Sequence, residues 1–254
     1  MNKNELREKW LEEEKNAKIT GWDFSYIDGR YYEADELMQW DYKDLIVKYL
    51  SPADILLDMD TGGGEFLLGL GHENKLISVT ESYPPNVELC RQRLEPLGIK
   101  VYDASADGIL PFDDETFDIV INRHGSFNAE EIYRILKRGG HFITQQVGED
   151  NDRELVKILM GDLPKPYPGM NLTVQKKAFE DAGFVILESG ENFLPIEFYD
   201  TGALIWFAKI IEWEFPGFSV DACMDSLILA QRMLERDGCI EGRIHRFILA
   251  ARKP

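Results

Sequence analysis

Asp58, Asp60 and Glu65 bracket the run Gly62-Gly63-Gly64, and Glu81 closes the next apolar stretch, LISVT. Glycines between two core-forming segments (ILLDM before, EFLLGL after) let a backbone approach a ligand closely and aim free N–H groups at it. A pyrophosphate at such a turn uses G-x-G-x-x-G. Here the glycines are followed by Glu65-Phe66-Leu67, so the third glycine is missing and a carboxylate stands where it would repel phosphate. An acid-lined turn suits a ligand that carries positive charge. Further along, Asp103, Asp107, Asn122, Arg123 and His124 lie at or beyond the ends of apolar runs, and histidine is the side chain that titrates near neutral pH.

The elements needed to position these residues are legible as an alternation. ADILLDM, KLISVTE, IKVYD, FDIVINRH and HFITQQVG read as strands, and EFLLGLG, NVELCRQRLEPLG and NAEEIYRILKRGG as the helices between them, the last closed by its glycines. Strands alternating with helices predict an α/β fold: a doubly wound, mostly parallel sheet with helices on both faces. That core is expected over 51–150. Residues 1–50 are expected to form a helical and aromatic cap segment, with Leu6, Trp10 and Leu11 on one helical face. Residues 151–254 are expected to complete the sheet, with a helical insertion at about 200–238 that includes the apolar DTGALIWFAKIIEWEF. Trp22, Phe24, Tyr31, Tyr32, Trp40, Trp206, Phe207 and Trp213 are candidates for lining a capped pocket, although aromatics at helical spacing usually pack in cores.

Composition narrows the function classes. The chain has 254 residues, a net charge of −18, 44% hydrophobic and 29% charged residues. No Lys/Arg cluster forms the basic stripe that nucleic-acid binders use to replace phosphate counterions, so a small-molecule partner is expected over nucleic acid. Cys90, Cys223 and Cys239 are odd in number and widely spaced, which predicts neither a metal site nor a disulfide framework. MNKNELREKW lacks the apolar region of a signal peptide, and ALIWFAKII is too short to cross a bilayer. The expectation is a cytoplasmic protein without a membrane segment.

Between Ile55 and Gly148 the chain resembles the class I, Rossmann-like S-adenosylmethionine-dependent methyltransferases, and WDFSYIDGR, MDTGGGEF, NRHGSF and FITQQVG resemble a bacterial branch of that family with no assigned substrate. The resemblance implies S-adenosylmethionine as cofactor and S-adenosylhomocysteine as product. It places Asp58, Gly62 and Gly64 in the family's first motif, with Asp60 where that motif carries its first glycine. Glu81 and the adjoining Ser82 take the ribose position, a carboxylate being able to accept from both hydroxyls. Asp103-Ala104 would meet the adenine, with Asp107 competing for the same role, and Asn122 would line the cofactor site at the end of the fourth strand. The LPF…FD segment and ILKRGGHFIT match the family's fourth- and fifth-strand surroundings.

Methyl transfer from a sulfonium needs alignment and exclusion of water, and a base only where the acceptor loses a proton. His124 is the candidate base, with Arg123, Gln145 and Gln146 near the same sheet edge. His72 reads as a cap and His245 as part of the last strand. Three other functions stay open: an RNA methyltransferase with a basic groove from Arg30, Arg91, Arg93 and Arg123, a non-catalytic S-adenosylmethionine-binding protein, and a nicotinamide-dependent oxidoreductase.

Overall fold

Successive side chains of a strand point to opposite faces of its sheet, and the central strands here are apolar on both. Leu56 packs with Ile46, Leu67, Ile77, Ile119 and Ile121, whereas its neighbour Leu57 packs with Val120, Ile132, Phe142 and Phe179. Two cores, one on each face, are what a parallel sheet between helical layers requires. The structure, a computed structural model, describes residues 2–18, 23–103 and 109–254.

In chain order the elements are α1 (Lys3–Lys15), β1 (Tyr31–Glu33), α2 (Tyr42–Tyr49), β2 (Leu56–Met59), α3 (Glu65–Leu68), β3 (Ile77–Glu81), α4 (Pro84–Leu94), β4 (Lys100–Asp103), β5 (Phe117–Arg123), α5 (Ala129–Ile135), β6 (Leu136–Val147), α6 (Arg153–Met160), α7 (Leu172–Asp181), β7 (Val185–Phe198), α8 (Thr201–Ile210), α9 (Met224–Asp237) and β8 (Ile240–Arg252). The strands are ordered β1-β7-β8-β6-β5-β2-β3-β4. Pairs β2–β3, β2–β5, β3–β4 and β5–β6 are parallel, and β6–β8 and β1–β7 antiparallel. This is the Rossmann-like α/β sheet expected from the alternation. Chain direction across the sheet reverses between β2 and β5, so the topological switch point lies at their carboxyl ends, where open α/β sheets bind ligands.

Contacts divide the chain into two units that interleave along the sequence. One comprises Met1–Met38, Glu149–Pro168 and Asn192–His245, the other Gln39–Gly148, Gly169–Glu191 and Arg246–Pro254. The first unit draws on both the N-terminal stretch and the late helical one. Its core gathers Trp10, Ile27, Leu155, Phe198 and the body of α8, in which every residue from Thr201 to Ala208 is buried. Trp206 and Phe207 belong to this core, with Phe24 edge-on to Trp206 at 5.7 Å between ring centroids. They are packing residues there, not exposed aromatics. Trp22 lies outside the described residues.

One expected element is shorter than its pattern. NAEEIYRILKRGG does not run as a helix to its glycines; α5 ends at Ile135 and Leu136 is already extended, at ψ 139°. Leu136 pairs with Phe117 in the sheet and joins its core, and Lys137 binds Asp118 at 2.7 Å. Gly139 donates to the Lys253 carbonyl (2.8 Å) and the Gly140 carbonyl accepts from the Lys253 N–H (2.9 Å). Sheet pairing overrides the helical propensity of this stretch. The same region carries a register shift between Phe117 and Ile119, which puts Phe117 and Val120 in one core and Ile119 in the other.

Candidate active site at the carboxyl ends of β2, β3 and β5

The turn after β2 is built from left-handed backbone. Asp60 (φ 55°), Gly62 (φ 64°) and Gly64 (φ 76°) all adopt positive φ, a region glycine enters freely and aspartate tolerates better than most residues. Asp60 thus takes the backbone shape of the glycine it replaces. Gly64 is needed for space as well, because a Cβ there would lie 2.8 Å from Leu94 Cδ2. The Thr61 N–H ties the turn to β3 through the Thr80 carbonyl (3.2 Å), and Cys90 Sγ donates to the Gly62 carbonyl at 2.9 Å.

Glu81, at the end of β3 and buried, holds the same turn from the other side. Its carboxylate accepts from the N–H groups of Gly62 (2.9 Å), Ser82 (2.9 Å) and Tyr83 (3.0 Å), and more weakly from Asn86 Nδ2 at 3.4 Å. Asp58 is 6% exposed and accepts from the Thr61 hydroxyl at 2.6 Å. Burial pushes its pKa up to about 7, assisted by Asp60 and Glu81 and opposed by the Thr61 bond and Arg123. Burial and then Glu81 raise Asp60 to about 6, against the Ser126 N–H and Ser82. Three carboxylates therefore converge on one turn, with Arg123 the charge that opposes the rise at Asp58.

At the end of β5, Asn122 is fully buried, donating to the Met59 carbonyl at 3.1 Å and accepting from Gln146 Nε2 at 2.6 Å. Gln146 also donates to the Thr144 hydroxyl (2.7 Å), so a closed polar network underlies the switch point. Replacing Asn122 by leucine takes one acceptor from Gln146 and one donor from the Met59 carbonyl, and urea unfolding should record a loss of about 2–4 kcal/mol. Asn122 is thus part of the buried network at the ends of β2, β5 and β6.

His124 follows in left-handed geometry (φ 61°), its N–H bonded to the Gln145 carbonyl at 3.0 Å. Its ring reaches solvent but is crowded by protein, and that crowding, with Arg246 and then Arg123, holds its pKa well below the ordinary value. The imidazole is neutral at pH 7. Arg123 lies over the Phe66 ring at 4.8 Å, and Trp40 Nε1 fixes the Gln145 amide at 2.8 Å. Asp103 ends β4 directly opposite Glu81 in the register. Ala104 and Asp107 lie outside the described residues.

Residues 57–144 match the family model for a methyltransferase domain. Over that stretch the chain is similar to methyltransferase domains. No curated protein matches it by sequence. Among solved structures it is similar to a candidate methyltransferase of Bacillus halodurans C-125 (18% identity, TM-score 0.56, covering 84% of this chain and 99% of the other). A Deinococcus radiodurans R1 protein of unknown function aligns at 13% identity and TM-score 0.59, covering 88% and 91% of the two chains. The YcgJ protein of Bacillus subtilis aligns at 15% and 0.55, covering 84% and 97%. At these identities the likeness is one of fold.

Within the matched stretch the structure brings Asp58, Asp60, Gly62, Gly64, Glu81 and Ser82 around one turn, with Asn122 and His124 at the neighbouring strand end. His72 Nε2 bonds the Asp54 carbonyl at 2.8 Å, ahead of β2 and not at the end of α3, and His245 lies buried in β8. Of the arginines considered for a basic groove, Arg30 is paired with Glu13 and Asp200, and Arg93 with Glu65. Two residues of the site are not picked out from the sequence. The charge of Arg246 acts on His124 from β8, and Gly125, within NRHGSF, lies against Asp60. No helix among the described residues is long and apolar enough to cross a membrane.

Proposed function

We propose that the protein transfers the methyl group of S-adenosylmethionine to a small or medium-sized acceptor. The observation that carries this reading is the convergence of Asp58, Asp60 and Glu81 on the glycine turn. A carboxylate, not an anion-ready N–H, faces the ligand position: the Gly62 N–H is already taken by Glu81. That arrangement opposes a pyrophosphate and favours a ligand with a sulfonium and an ammonium group. S-adenosylmethionine, when bound, supplies an electrophilic methyl on positively charged sulfur.

The chain's own residues then have distinct tasks. Glu81 accepts from the ribose hydroxyls, the long Asn86 contact giving way, while Asp58 and Asp60 offset positive charge at the methionyl end. Asp103 stands at the adenine side. His124, neutral at pH 7, presents a lone pair beside the crevice. It is a weak base, sufficient because an oxygen or nitrogen acceptor becomes strongly acidic only as it takes the methyl. Cytoplasmic location and a small acceptor remain part of this proposal, the latter supported by the acidity of the chain and by the ion-paired state of Arg30 and Arg93.

Calorimetric titration tests the reading directly. S-adenosylmethionine and S-adenosylhomocysteine should bind with micromolar Kd and NAD not at all. Tight NAD binding with no response to either sulfur nucleoside would refute it.

A further inference from the structure

Gly125 is a glycine without a backbone reason to be one. It is absent from the positive-φ residues, so left-handed backbone is not what requires glycine there. Space is the obstacle. A Cβ on Gly125 would run into the Asp60 carboxylate oxygen, lie 2.6 Å from Asp60 Cβ and 2.8 Å from Asn122 Nδ2. None of these atoms can swing away. Asp60 Cβ is fixed by its left-handed backbone, its carboxylate is engaged by the Ser126 N–H and Ser82, and Asn122 Nδ2 is tied to the Met59 carbonyl within a buried network. The two residues come from opposite sides of the switch point, Asp60 from the end of β2 and Gly125 from beyond the end of β5.

We infer that Asp60 and Gly125 work as a pair: the missing side chain at 125 seats the Asp60 carboxylate across the crevice, where it binds the α-ammonium of the methyl donor. This rests on the methyl-donor reading above and adds to it a positioning residue and a specific ligand atom group. The ammonium is the fitting partner because it alone among the donor's cationic groups carries N–H bonds. A carboxylate has about four lone-pair sites, and Ser126 and Ser82 approach only some of them. The sulfonium, lacking hydrogen on sulfur, can feel the charge but cannot accept that geometry. A side chain at 125 would therefore displace the ligand for the ammonium without touching Glu81 or the glycines.

The test compares S-adenosylhomocysteine with its deaminated analogue, in which hydrogen replaces the α-amino group. Calorimetry is run on the wild-type chain, Gly125→Ala, Asp60→Gly and the double variant, with thermal unfolding of each. The wild type should prefer the amine by about 10- to 100-fold. Gly125→Ala should lose at least about 10-fold in S-adenosylhomocysteine affinity and nearly all of that preference, as Asp60→Gly should. In the Asp60→Gly background, adding alanine at 125 should cost clearly less than in the wild type, because the clashes with the Asp60 carboxylate and Cβ are gone and only the contact with Asn122 Nδ2 remains. Unfolding should follow suit, with part of the drop in Tm caused by Gly125→Ala recovered in the double variant and the remainder set by the Asn122 contact.

A folded Gly125→Ala protein that keeps the wild-type preference overturns the pair. So does an equal cost of Gly125→Ala with and without Asp60, which would make residue 125 an independent packing position. Recovery of Tm without any amine preference in the wild type overturns the ammonium assignment alone. A wild-type chain that binds neither compound overturns the methyl-donor reading and the assignment with it, while the Tm cycle still decides whether Gly125 seats Asp60.

Discussion

Replacing Glu81 by alanine should weaken S-adenosylhomocysteine binding by about 30- to 300-fold, measured by calorimetry on folded protein. Charge-assisted hydrogen bonds contribute about 1.5–3 kcal/mol each. Glu81 is not idle before a ligand arrives: it accepts three backbone N–H bonds and the long one from Asn86. Ribose hydroxyls must therefore exchange with some of these donors, which keeps the net gain below the sum of two new bonds. The same bonds couple recognition to shape. Without the carboxylate, Gly62, Ser82 and Tyr83 lose their acceptor, the turn loosens, and the ligand-free protein should lose about 1–3 kcal/mol to urea unfolding. Glu81→Gln tests the charge at constant shape. Its NH2 must face either the Gly62 N–H or those of Ser82 and Tyr83, so it should lose about 10-fold in affinity together with part of the same stability. Full affinity in Glu81→Ala would remove the ribose role outright.

How much of this was legible follows from what each residue needs. Gly62, Gly64 and Glu81 announce themselves because few residue types can enter left-handed backbone or accept from two neighbouring hydroxyls, so type and position are tied together locally. Asp58 is legible for a related reason: an acid closing a buried apolar strand is costly unless it has a task. The strand alternation likewise exposes the sheet, since burial on both faces leaves continuous apolar runs such as the strand ending at Asp58. Gly125 is different. Its requirement comes from Asp60, a residue far off in sequence, and nothing in NRHGSF reveals that distance. Arg246 reaches the site only because β8 pairs antiparallel with β6, bringing Arg246 opposite Val147. The end of α5 is hidden for the same reason. ILKRGG has helix-forming residues and a terminal glycine, but Leu136 is claimed by β5 and Gly139–Gly140 by Lys253. The aromatic residues divide by tertiary context too, Trp206 going to a core and Trp40 to the Gln145 amide.

Asp58→Asn should make the ligand-free protein more stable at pH 8 while weakening its hold on the methyl donor. A carboxyl of ordinary value 3.8 raised to about 7 is held in its protonated form by the fold. Its stabilising proton is fully in place below about pH 4 and is lost as pH rises through about 7. Above that, the folded chain carries a buried negative charge that the unfolded chain would carry in water. At 1.36 kcal/mol per unit the penalty reaches at most about 4 kcal/mol, and relaxation in the denatured ensemble reduces it to about 2–3. Asparagine cannot ionise and its amide oxygen can still accept from Thr61. The difference in unfolding free energy between variant and wild type should therefore be small near pH 4, grow to about pH 7 and level off above it. Ligand affinity should move the opposite way in the wild type, rising from pH 5 to 8 as Asp58 and Asp60 ionise and meet a cationic ligand, with the rise reduced in Asp58→Asn. A variant equally or less stable at pH 8, with no pH-dependent difference, would make Asp58 a plain hydrogen-bond acceptor for the turn. The expected pattern instead makes it a site where stability is sacrificed for binding, since the charge that destabilises the empty turn is the charge that recognises the ligand.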